Sequence, residues 1–222
     1  MDRDILDHLF ARSVRDTRIF GVVVGLVTNN KDPDQLGRVK VKFPWLSETD
    51  ESYWARIATP MAGNNRGLFL LPEVDDEVLV AFEHGLMEHP YIVGALWNGK
   101  DKPPEKNEDG KNNLRFLKSR SGHIIRLDDT EGSEKVEIID KSAKNKITID
   151  VASNTITITS EAKIELKAKS DITITSESGK VAISGNTVEV TGKTGIKIES
   201  SANADVKATG QMNVKGAMVN IN

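Results

Sequence analysis

Few residues of this chain stand in patterns that could do chemistry. The triplet Gly192-Lys193-Thr194 has the form of the end of a phosphate-binding loop. Such a loop needs a further glycine five residues upstream, where this chain has Thr187, and no helical pattern follows the triplet. His84 and His89 are five residues apart and precede Pro90, so they cannot share a helical face as the histidines of a zinc protease do. We interpret them as surface histidines of a barrel.

Nucleophiles and paired acids are equally sparse. Ser121-Gly122-His123 lacks the Gly-x-Ser-x-Gly frame of a hydrolase nucleophile. Asp128 and Asp129 are adjacent in a predicted turn, where a solvated loop is more common than an acid–base pair. The chain has no cysteine, which excludes disulfides and thiolate metal sites. We therefore predict a protein that is not an enzyme, with no catalytic residue, no cofactor and no metal site.

One cluster of basic and aromatic residues could contact nucleic acid. It consists of Lys40, Lys42, Phe43 and Trp45, in a chain with only 5% aromatic residues. The 30 basic residues are balanced by 33 acidic ones, and the formal charge is −3. This balance argues against a protein that coats nucleic acid or an anionic membrane, and we predict no nucleic-acid partner. An oligonucleotide-binding protein remains one alternative.

The elements that hold these residues begin with a run of short strands between residues 19 and 98. Residues 20–28 are rich in valine, residues 29–34 have turn chemistry, and residues 37–43 alternate polar and apolar side chains. Further strands are predicted at 53–59, 67–71, 77–82 and 91–96. Five or six strands in about 80 residues predict a small closed barrel, and we expect an OB-like barrel over 19–98.

Residues 1–18, which precede the barrel, are predicted to contain a short amphipathic helix. Their apolar residues have helical spacing over residues 4–14: Ile5, Leu6, Leu9, Phe10 and Val14. Two interpretations are open. The helix packs on its own domain, or it docks on a neighbouring subunit.

A polar linker separates the barrel from a second domain. Residues 99–113 contain eight charges and no large apolar residue. The second domain is predicted to begin at Leu114, with irregular strands over 114–127 and 136–139 around a turn at 128–132. These strands lead into a regular repeat.

The repeat fills the last third of the chain, from about residue 147 to residue 222. Two apolar residues separated by one polar residue recur with a mean period of 8.0 residues, and small or polar turn formers lie between the pairs. Within a pair, positions i and i+2 share one face of a strand. All prolines lie at or before Pro104 and all aromatic residues at or before Phe116, so the interior must be thin. The pattern is typical of a β-solenoid, whose units bury their faces only by stacking.

The octads alone are compatible with a single-chain or a trimeric solenoid. If one chain formed all three sides of a prism, nine steps would rise about 15 Å, whereas three intertwined chains would rise about 45 Å. Intertwining also hides strand edges that would otherwise promote aggregation. The single-chain alternative, a binding module or a carbohydrate-active protein, needs a cluster of acids or aromatics on one outer face. The outward residues Thr157, Glu165, Thr173 and Glu189 form no such cluster.

Several motifs resemble a known family and occur in the expected order. Residues 36–45, 53–56, 71–82 and 89–98 resemble the OB domain of phage baseplate assembly protein V and of VgrG spike proteins. Residues 121–130 resemble the segment that joins this domain to the spike shaft. The resemblance implies an all-β fold: an OB-like barrel followed by an intertwined trimeric β-helix, or triangular β-prism, with a short N-terminal helix.

The resemblance also implies a function. Such proteins are homotrimeric central spikes of contractile injection systems: phage tails, type VI secretion systems or extracellular injection particles. Contraction of a sheath drives the rigid shaft against a target envelope, so the membrane is contacted only on firing. The residues expected to form the trimer core are Ile156, Ile158, Ile164, Leu166, Ile172, Ile174, Val188, Val190, Ile196 and Ile198.

Departures from the family, and the end of the repeat, shape the expected partners. Only about 18 residues precede the barrel, so the hub is expected to be a separate protein that docks on Ile5, Leu6, Leu9 and Phe10. No lysozyme domain follows the barrel, and no histidine follows His123, so neither wall cutting nor a built-in metal tip is expected. The repeat runs to the last residue, and a conical PAAR-repeat tip protein is expected on Met212, Val214, Val219 and Ile221.

Targeting signals are missing from the sequence. No apolar run approaches 18 residues, and Met1-Asp2-Arg3-Asp4 is not a signal-like start. We expect synthesis in the cytoplasm, followed by incorporation into an assembled contractile particle, a virion tail or a secretion apparatus, which can be released.

Overall fold

The computed structural model describes residues 18–47 and 49–221, and its regular elements are strands apart from one 3₁₀ turn. The chain divides into two units, the first ending at Ala162 and the second beginning at Lys163. The predicted N-terminal helix and its residues Ile5, Leu6, Leu9 and Phe10 lie outside the described residues.

The first sheet forms a barrel. Its strands, in the spatial order β2-β1-β6-β7-β3, are β1 (Val22–Asn29), β2 (Lys40–Lys42), β3 (Arg56–Ile57), β6 (Glu77–Phe82) and β7 (Pro90–Ala95). A small hairpin of β4 (Ala62–Gly63) and β5 (Arg66–Gly67) follows β3, and a 3₁₀ turn (Glu83–Gly85) lies between β6 and β7. β3 runs parallel to β7, and the other neighbouring pairs are antiparallel.

The two edges of this sheet meet and close the barrel. Val39 and Ala55 exchange backbone hydrogen bonds, 3.0 Å from Val39 N to Ala55 O and 2.7 Å from Ala55 N to Val39 O. Ser52 N also donates to Val41 O at 2.7 Å. The closed circuit β1-β2-β3-β7-β6 is the five-stranded arrangement of an OB fold.

The barrel contains the core of the first unit. Alternate residues of β6 are buried, as a half-buried strand requires. Gly25 allows the opposite wall to approach, because a Cβ there would lie 3.3 Å from both the Phe43 ring and Val41 Cβ. The buried apolar residues are Val27, Val39, Val41, Phe43, Ala55, Val78, Val80, Phe82 and Ile92.

The strand predicted at 67–71 is wrong. Only Gly67 belongs to a strand, and the chain then runs as an exposed loop with Leu68, Phe69 and Leu70 on its surface. Leu68 N donates to Met61 O at 3.0 Å, but no partner strand continues the ladder. The apolar residues that suggested a strand therefore lie on an outer loop.

The second sheet is a regular meander in which each strand pairs antiparallel with the next. Its strands are β8 (Leu114–Lys118), β9 (Ile124–Asp128), β10 (Lys135–Ile139), β11 (Lys146–Asp150) and β12 (Thr155–Thr159). Each of the four turns contains one residue with a left-handed backbone: Gly122, Gly132, Ala143 and Asn154. Such residues permit the tight reversals of successive hairpins.

This meander changes the predicted start of the repeat. The strands expected to be irregular are regular, and the pairs Ile147/Ile149 and Ile156/Ile158 face each other across a hairpin instead of stacking as octads. The reason is the nine-residue step between these pairs, which leaves room for a tight turn at residues 151–154.

Residues 163–221 form the described part of the second unit. No strand is assigned within this range, and every residue in it is exposed. Among residues 18–47 and 49–221, nothing covers the apolar pairs of this range, and the β-helical prism remains a prediction.

Candidate functional site

Two rows of side chains cross all five strands of the meander on one face. The first row is Arg115, Leu127, Val136, Ile149 and Ile156, and the second is Leu117, Ile125, Ile138, Ile147 and Ile158. Nine of these ten residues are aliphatic, and all nine are exposed. We call these nine residues the apolar face.

The opposite face of the same sheet is mostly polar, although it also carries the half-buried Leu114, Phe116, Ile124 and Ile139. Glu137 is buried there, and it accepts a 2.9 Å hydrogen bond from Arg126 Nε within an ion pair. Asp150 lies 4.0 Å from Lys135, and the hydroxyl-bearing Thr157 follows on the edge strand. An antiparallel sheet normally solvates one face and packs the other, so the polar face is the one suited to solvent.

The apolar face therefore marks an interaction surface. Burying one large aliphatic side chain stabilises a protein by about 1.5–3 kcal/mol, so nine of them represent a large unrealised stabilisation. Contiguous exposed apolar patches of this kind are uncommon on soluble monomers and typically mark contacts with a partner.

Polar turns border the apolar face at one end. Asp140 accepts hydrogen bonds of 2.8 Å from Asn145 Nδ2 and 2.8 Å from Ser142 Oγ. These bonds, with Asn145 the larger cause, lower the pKa of Asp140 to about 2. From the same turn, Lys141 N donates to Nδ1 of His123, in the turn between β8 and β9, at 3.2 Å. The polar border fixes the turns and limits the apolar surface to the strands.

The predicted core residues divide between the two units. Ile156 and Ile158 lie on β12, within the apolar face. The remaining core residues are exposed in the second unit: Ile164, Leu166, Ile172, Ile174, Val188, Val190, Ile196 and Ile198. The predicted tip residues Met212, Val214, Val219 and Ile221 are exposed there too.

Sequence reasoning missed much of the apolar face. The predicted core list begins at Ile156 and leaves out Leu117, Ile125, Leu127, Val136 and Ile138. The signal was present, because apolar and polar residues alternate in β9 and β10 as they do in the octads. Their place on the same face follows only from the register of the hairpins.

Within the repeat, the two apolar members of each octad differ regularly in their exposed fraction. In the seven complete pairs of large apolar residues from Ile164 onward, the first member is 48–54% exposed and the second 67–90%. Glu165, between the members of the first of these pairs, forms ion pairs with Lys163 and Lys167. These contacts, with Lys163 the larger cause, lower the pKa of Glu165. Around this pair, apolar and charged side chains thus alternate along the chain.

The barrel has a groove of about 1290 Å³ beside β3 and the β4–β5 hairpin. Arg56 lies 5.6 Å from the centre of the Tyr91 ring, and Arg38 lies 5.8 Å from that of Trp54. The cluster predicted from sequence does not form such a surface, because Phe43 is buried in the barrel core. The groove residues are distant in sequence and meet only when β3 pairs with β7.

Electrostatics make this groove a poor site for a polyanion. Arg38 is held by Asp32, with a 2.8 Å hydrogen bond from Nε, and by Asp34. The Arg38 side chain holds the pKa of Asp32 well below its ordinary value. Residues 19–98 contain 11 acidic and six basic residues, the reverse of the balance that phosphate binding favours.

Two further features bear on membranes and metals. Among residues 18–47 and 49–221, no helix has the length and apolar character needed to cross a bilayer. In the same part of the chain, no three histidine or acidic side chains are grouped so that they could hold a metal ion.

Comparison with known proteins shows what the barrel is similar to. Residues 23–97 match the family described as type VI secretion system/phage-baseplate injector OB domain. The chain is 31% identical to the type VI secretion system spike protein VgrG1a of Pseudomonas aeruginosa over 128 residues, which is 53% of this chain and 20% of that protein. It is 30% identical to VgrG3 of Vibrio cholerae over 129 residues, 54% of this chain and 13% of that protein.

These matches confirm the resemblance to VgrG-like baseplate spike proteins and the predicted OB-like barrel. The matched part of the chain corresponds to about a fifth or less of the length of these curated relatives.

Proposed function

We propose that this chain is a structural subunit of the central spike of a contractile injection system, of the type VI secretion or phage-baseplate kind. In this proposal three copies assemble about one axis through the apolar face. The observation that carries it is that face, with nine exposed aliphatic residues aligned across five strands. The injector OB domain at residues 23–97 and the relatives named as spike proteins support the same function.

Three meanders around an axis form a triangular prism. Each sheet turns its apolar face inward and its polar face, with the Arg126–Glu137 ion pair, toward solvent. The edge strands β8 and β12 then lie at the corners, where neighbouring copies cover them. Arg115 lies on the edge strand β8 at the end of its row. Its charge and its ion-pair partner Asp129 would therefore lie at a corner of the prism.

The repeat continues the prism as an intertwined β-helix. A single-chain solenoid would pair successive turns of one chain, whereas residues 163–221 form no strand with one another. Three intertwined copies would supply the missing partners, and the seven octad steps from Ile164 to Val219 would make a shaft of about 34 Å. Continuous ladders of backbone hydrogen bonds would make this shaft stiff under axial load.

The proposed mechanism is mechanical. The barrel end, together with residues 5–10, seats the trimer on a separate hub protein, and contraction of a sheath pushes the shaft against the target envelope. A conical PAAR-repeat protein sits on the far end, on Met212, Val214, Val219 and Ile221 of three chains. The exposed apolar side chains there support this site.

The oligomeric state tests the proposal directly. Light scattering coupled to size-exclusion chromatography should give three times the mass of the 24.4 kDa chain, and the trimer should resist SDS until it is boiled. Ile156→Asp should abolish the trimer, while its neighbour Thr157→Asp, on the polar face, should leave it intact. A wild-type monomer would overturn the proposal.

The two partner sites are tested separately. Deleting residues 1–14 should weaken co-purification with the hub and leave the trimer intact. Deleting the last octad should abolish binding of a PAAR-repeat protein without affecting the hub. Unchanged binding after either deletion would remove that segment from the corresponding interface.

A further inference from the structure

The groove beside β3 and the β4–β5 hairpin gathers basic residues on an acidic barrel. Its lining includes Arg38, Arg56 and Arg66, three of the barrel's six basic residues, but only one of its 11 acidic residues, Glu88. Arg38 is already paired with acids of its own loop. Within the described part of the chain, no acid pairs with Arg56 or Arg66. The groove therefore offers two guanidinium groups to an anion from outside.

Both of these arginines are exposed, and each is held in place by a neighbour. Arg56 lies over Tyr91, 5.6 Å from the centre of the ring. Arg66 lies across its own hairpin, where Gly63 leaves room for it, because a Cβ on Gly63 would be 2.8 Å from Arg66 Nε. Side chains that are already positioned lose less conformational freedom when a ligand binds.

Large apolar side chains line the same groove and are exposed. They are Leu36, Tyr53, Met61, Leu68, Phe69 and Leu70. Phe69 is 76% exposed, the largest fraction among them except for what its neighbours share in the same loop. An exposed apolar surface beside charged groups typically marks a site for a partner.

The loop that follows β5 adds backbone groups to the groove. Two hydrogen bonds fix this loop, from Thr59 Oγ1 to Leu68 O at 2.7 Å and from Leu68 N to Met61 O at 3.0 Å. In the part of the chain that the structure describes, the backbone N–H groups of Phe69 and Leu70 have no partner. Such groups can pair with an extended segment of another protein, as the edge of a sheet does.

We propose that this groove binds an extended segment of a partner protein that combines acidic with large apolar side chains. The acids pair with Arg56 and Arg66, and the apolar side chains contact Phe69 and its neighbours. The groove volume of about 1290 Å³ exceeds the roughly 300–1000 Å³ of small-molecule pockets and suits a segment of several residues.

Two other classes of ligand fit the groove less well. A nucleic-acid strand carries a charge on every nucleotide, so it would extend its charges beyond the two arginines over an acidic barrel. A neutral oligosaccharide offers no charge to Arg56 or Arg66. The rings of Tyr91 and Trp54, on which sugars could stack, are covered by the cations of Arg56 and Arg38.

Isothermal titration calorimetry of the full chain with three synthetic octapeptides tests the proposal. In these peptides leucine alternates with glutamate, glutamine or lysine. The Kd of the glutamate peptide should be about tenfold lower than that of the glutamine peptide, as two partly exposed ion pairs would give, and salt should reduce this preference. Failure of the glutamate peptide to bind, or binding no tighter than that of the glutamine or lysine peptide, would overturn the proposal.

Charge variants locate the anion site. Arg56→Gln combined with Arg66→Gln should abolish the preference for glutamate over glutamine. Lys31→Gln combined with Lys100→Gln removes the same charge at exposed lysines outside the groove and should leave the preference unchanged. A preference that survived the loss of both arginines would overturn the proposal.

A matched pair of variants locates the apolar contact. Phe69→Ser should weaken binding of the glutamate and glutamine peptides alike, whereas Phe20→Ser, at a similarly exposed phenylalanine outside the groove, should affect neither. Circular dichroism would verify that both variants retain the barrel. Equal effects of the two substitutions would show that the peptides do not bind in the groove.

Two further ligands decide between classes of partner. A 20-nucleotide deoxythymidine strand or chitohexaose that bound more tightly than the glutamate peptide would overturn the proposal in favour of a nucleic acid or a sugar. The groove lies outside the apolar face, so the arginine variant should keep the mass of the wild-type assembly. Failure of the peptide to bind would therefore leave the proposed spike function standing, and the oligomeric state tests that function separately.

Discussion

The barrel and the meander are both five-stranded, yet they differ in where their apolar side chains lie. The barrel closes on itself and buries nine apolar residues inside one chain. The meander is an open sheet whose nine aliphatic residues are exposed on one face. The number of apolar side chains is the same, so closure rather than composition decides which region has a core of its own.

This difference predicts two kinds of stability. The barrel's core forms within one chain, so its stability should not depend on protein concentration. The meander and the repeat obtain a core only from other copies under the proposed function, so their stability should follow mass action. Variants that damage one region should therefore leave the other largely unaffected.

The largest effect is expected at the centre of the apolar face. Ile138→Asp would place a carboxylate in the trimer core three times, and burying an unpaired charge is strongly unfavourable. Light scattering should show complete loss of the trimer. Limited proteolysis should then digest residues 114–222 and leave a protected barrel. An intact trimer in this variant would show that the apolar face does not form the interface.

A smaller effect is expected in the barrel core. Val80→Ala creates a cavity at a fully buried position and should lower the free energy of unfolding of the barrel by about 2 kcal/mol. The mass of the assembled protein should not change. Chemical denaturation followed by Trp fluorescence measures the loss, and a trimer that dissociated in this variant would contradict the independence of the two regions.

Sequence patterns predicted the barrel better than its surface. The alternation of residues 37–43 and 77–82 indicates half-buried strands whatever their partners are. The closure through Val39 and Ala55, and the groove where Arg56 meets Tyr91, depend on pairings between segments that are distant in sequence. Local alternation carries no information about such pairings.

In the meander, too, the sequence pattern does not identify the strand with which a segment pairs. An apolar pair such as Ile147/Ile149 has the same sequence pattern whether its neighbour strand comes from the same chain or from another copy. The octad period therefore does not separate the pairs up to Ile158, which belong to the meander, from the later pairs, whose inward position stays a prediction. The meander differs from the repeat in its turns, where Ala143 and Asn154 adopt left-handed backbone conformations. Asparagine indicates such a turn in a sequence, whereas alanine does not.

Acid should act on both regions through carboxylates whose pKa is lowered in the folded state. Folding lowers the pKa of Asp140 from 3.8 to about 2. The stabilising contribution of its carboxylate is therefore complete above pH 3.8 and is lost as the pH falls toward 2. Asp140→Asn should reduce this acid sensitivity in the meander, and Asp32→Asn should do so in the barrel.

Melting curves at several pH values check this expectation. Each variant should melt below the wild type at pH 7, and the difference should shrink as the pH falls below 3.8, because the wild-type carboxylate then becomes protonated too. A difference that stayed constant across this range would show that the carboxylate charge contributes nothing to either turn.

The smallest effect is expected from the charges on the outer side of the repeat. Glu165 is exposed and contacts Lys163 and Lys167, and exposed ion pairs of this kind contribute little because water and salt screen them. Glu165→Gln should leave both the trimer mass and its SDS resistance unchanged, whereas Ile164→Asp, one residue away on the apolar side, should reduce both. If Glu165→Gln weakened the trimer as much as Ile164→Asp did, surface charges rather than an apolar core would hold the shaft together, and the contrast with the barrel would lie in electrostatics instead of closure.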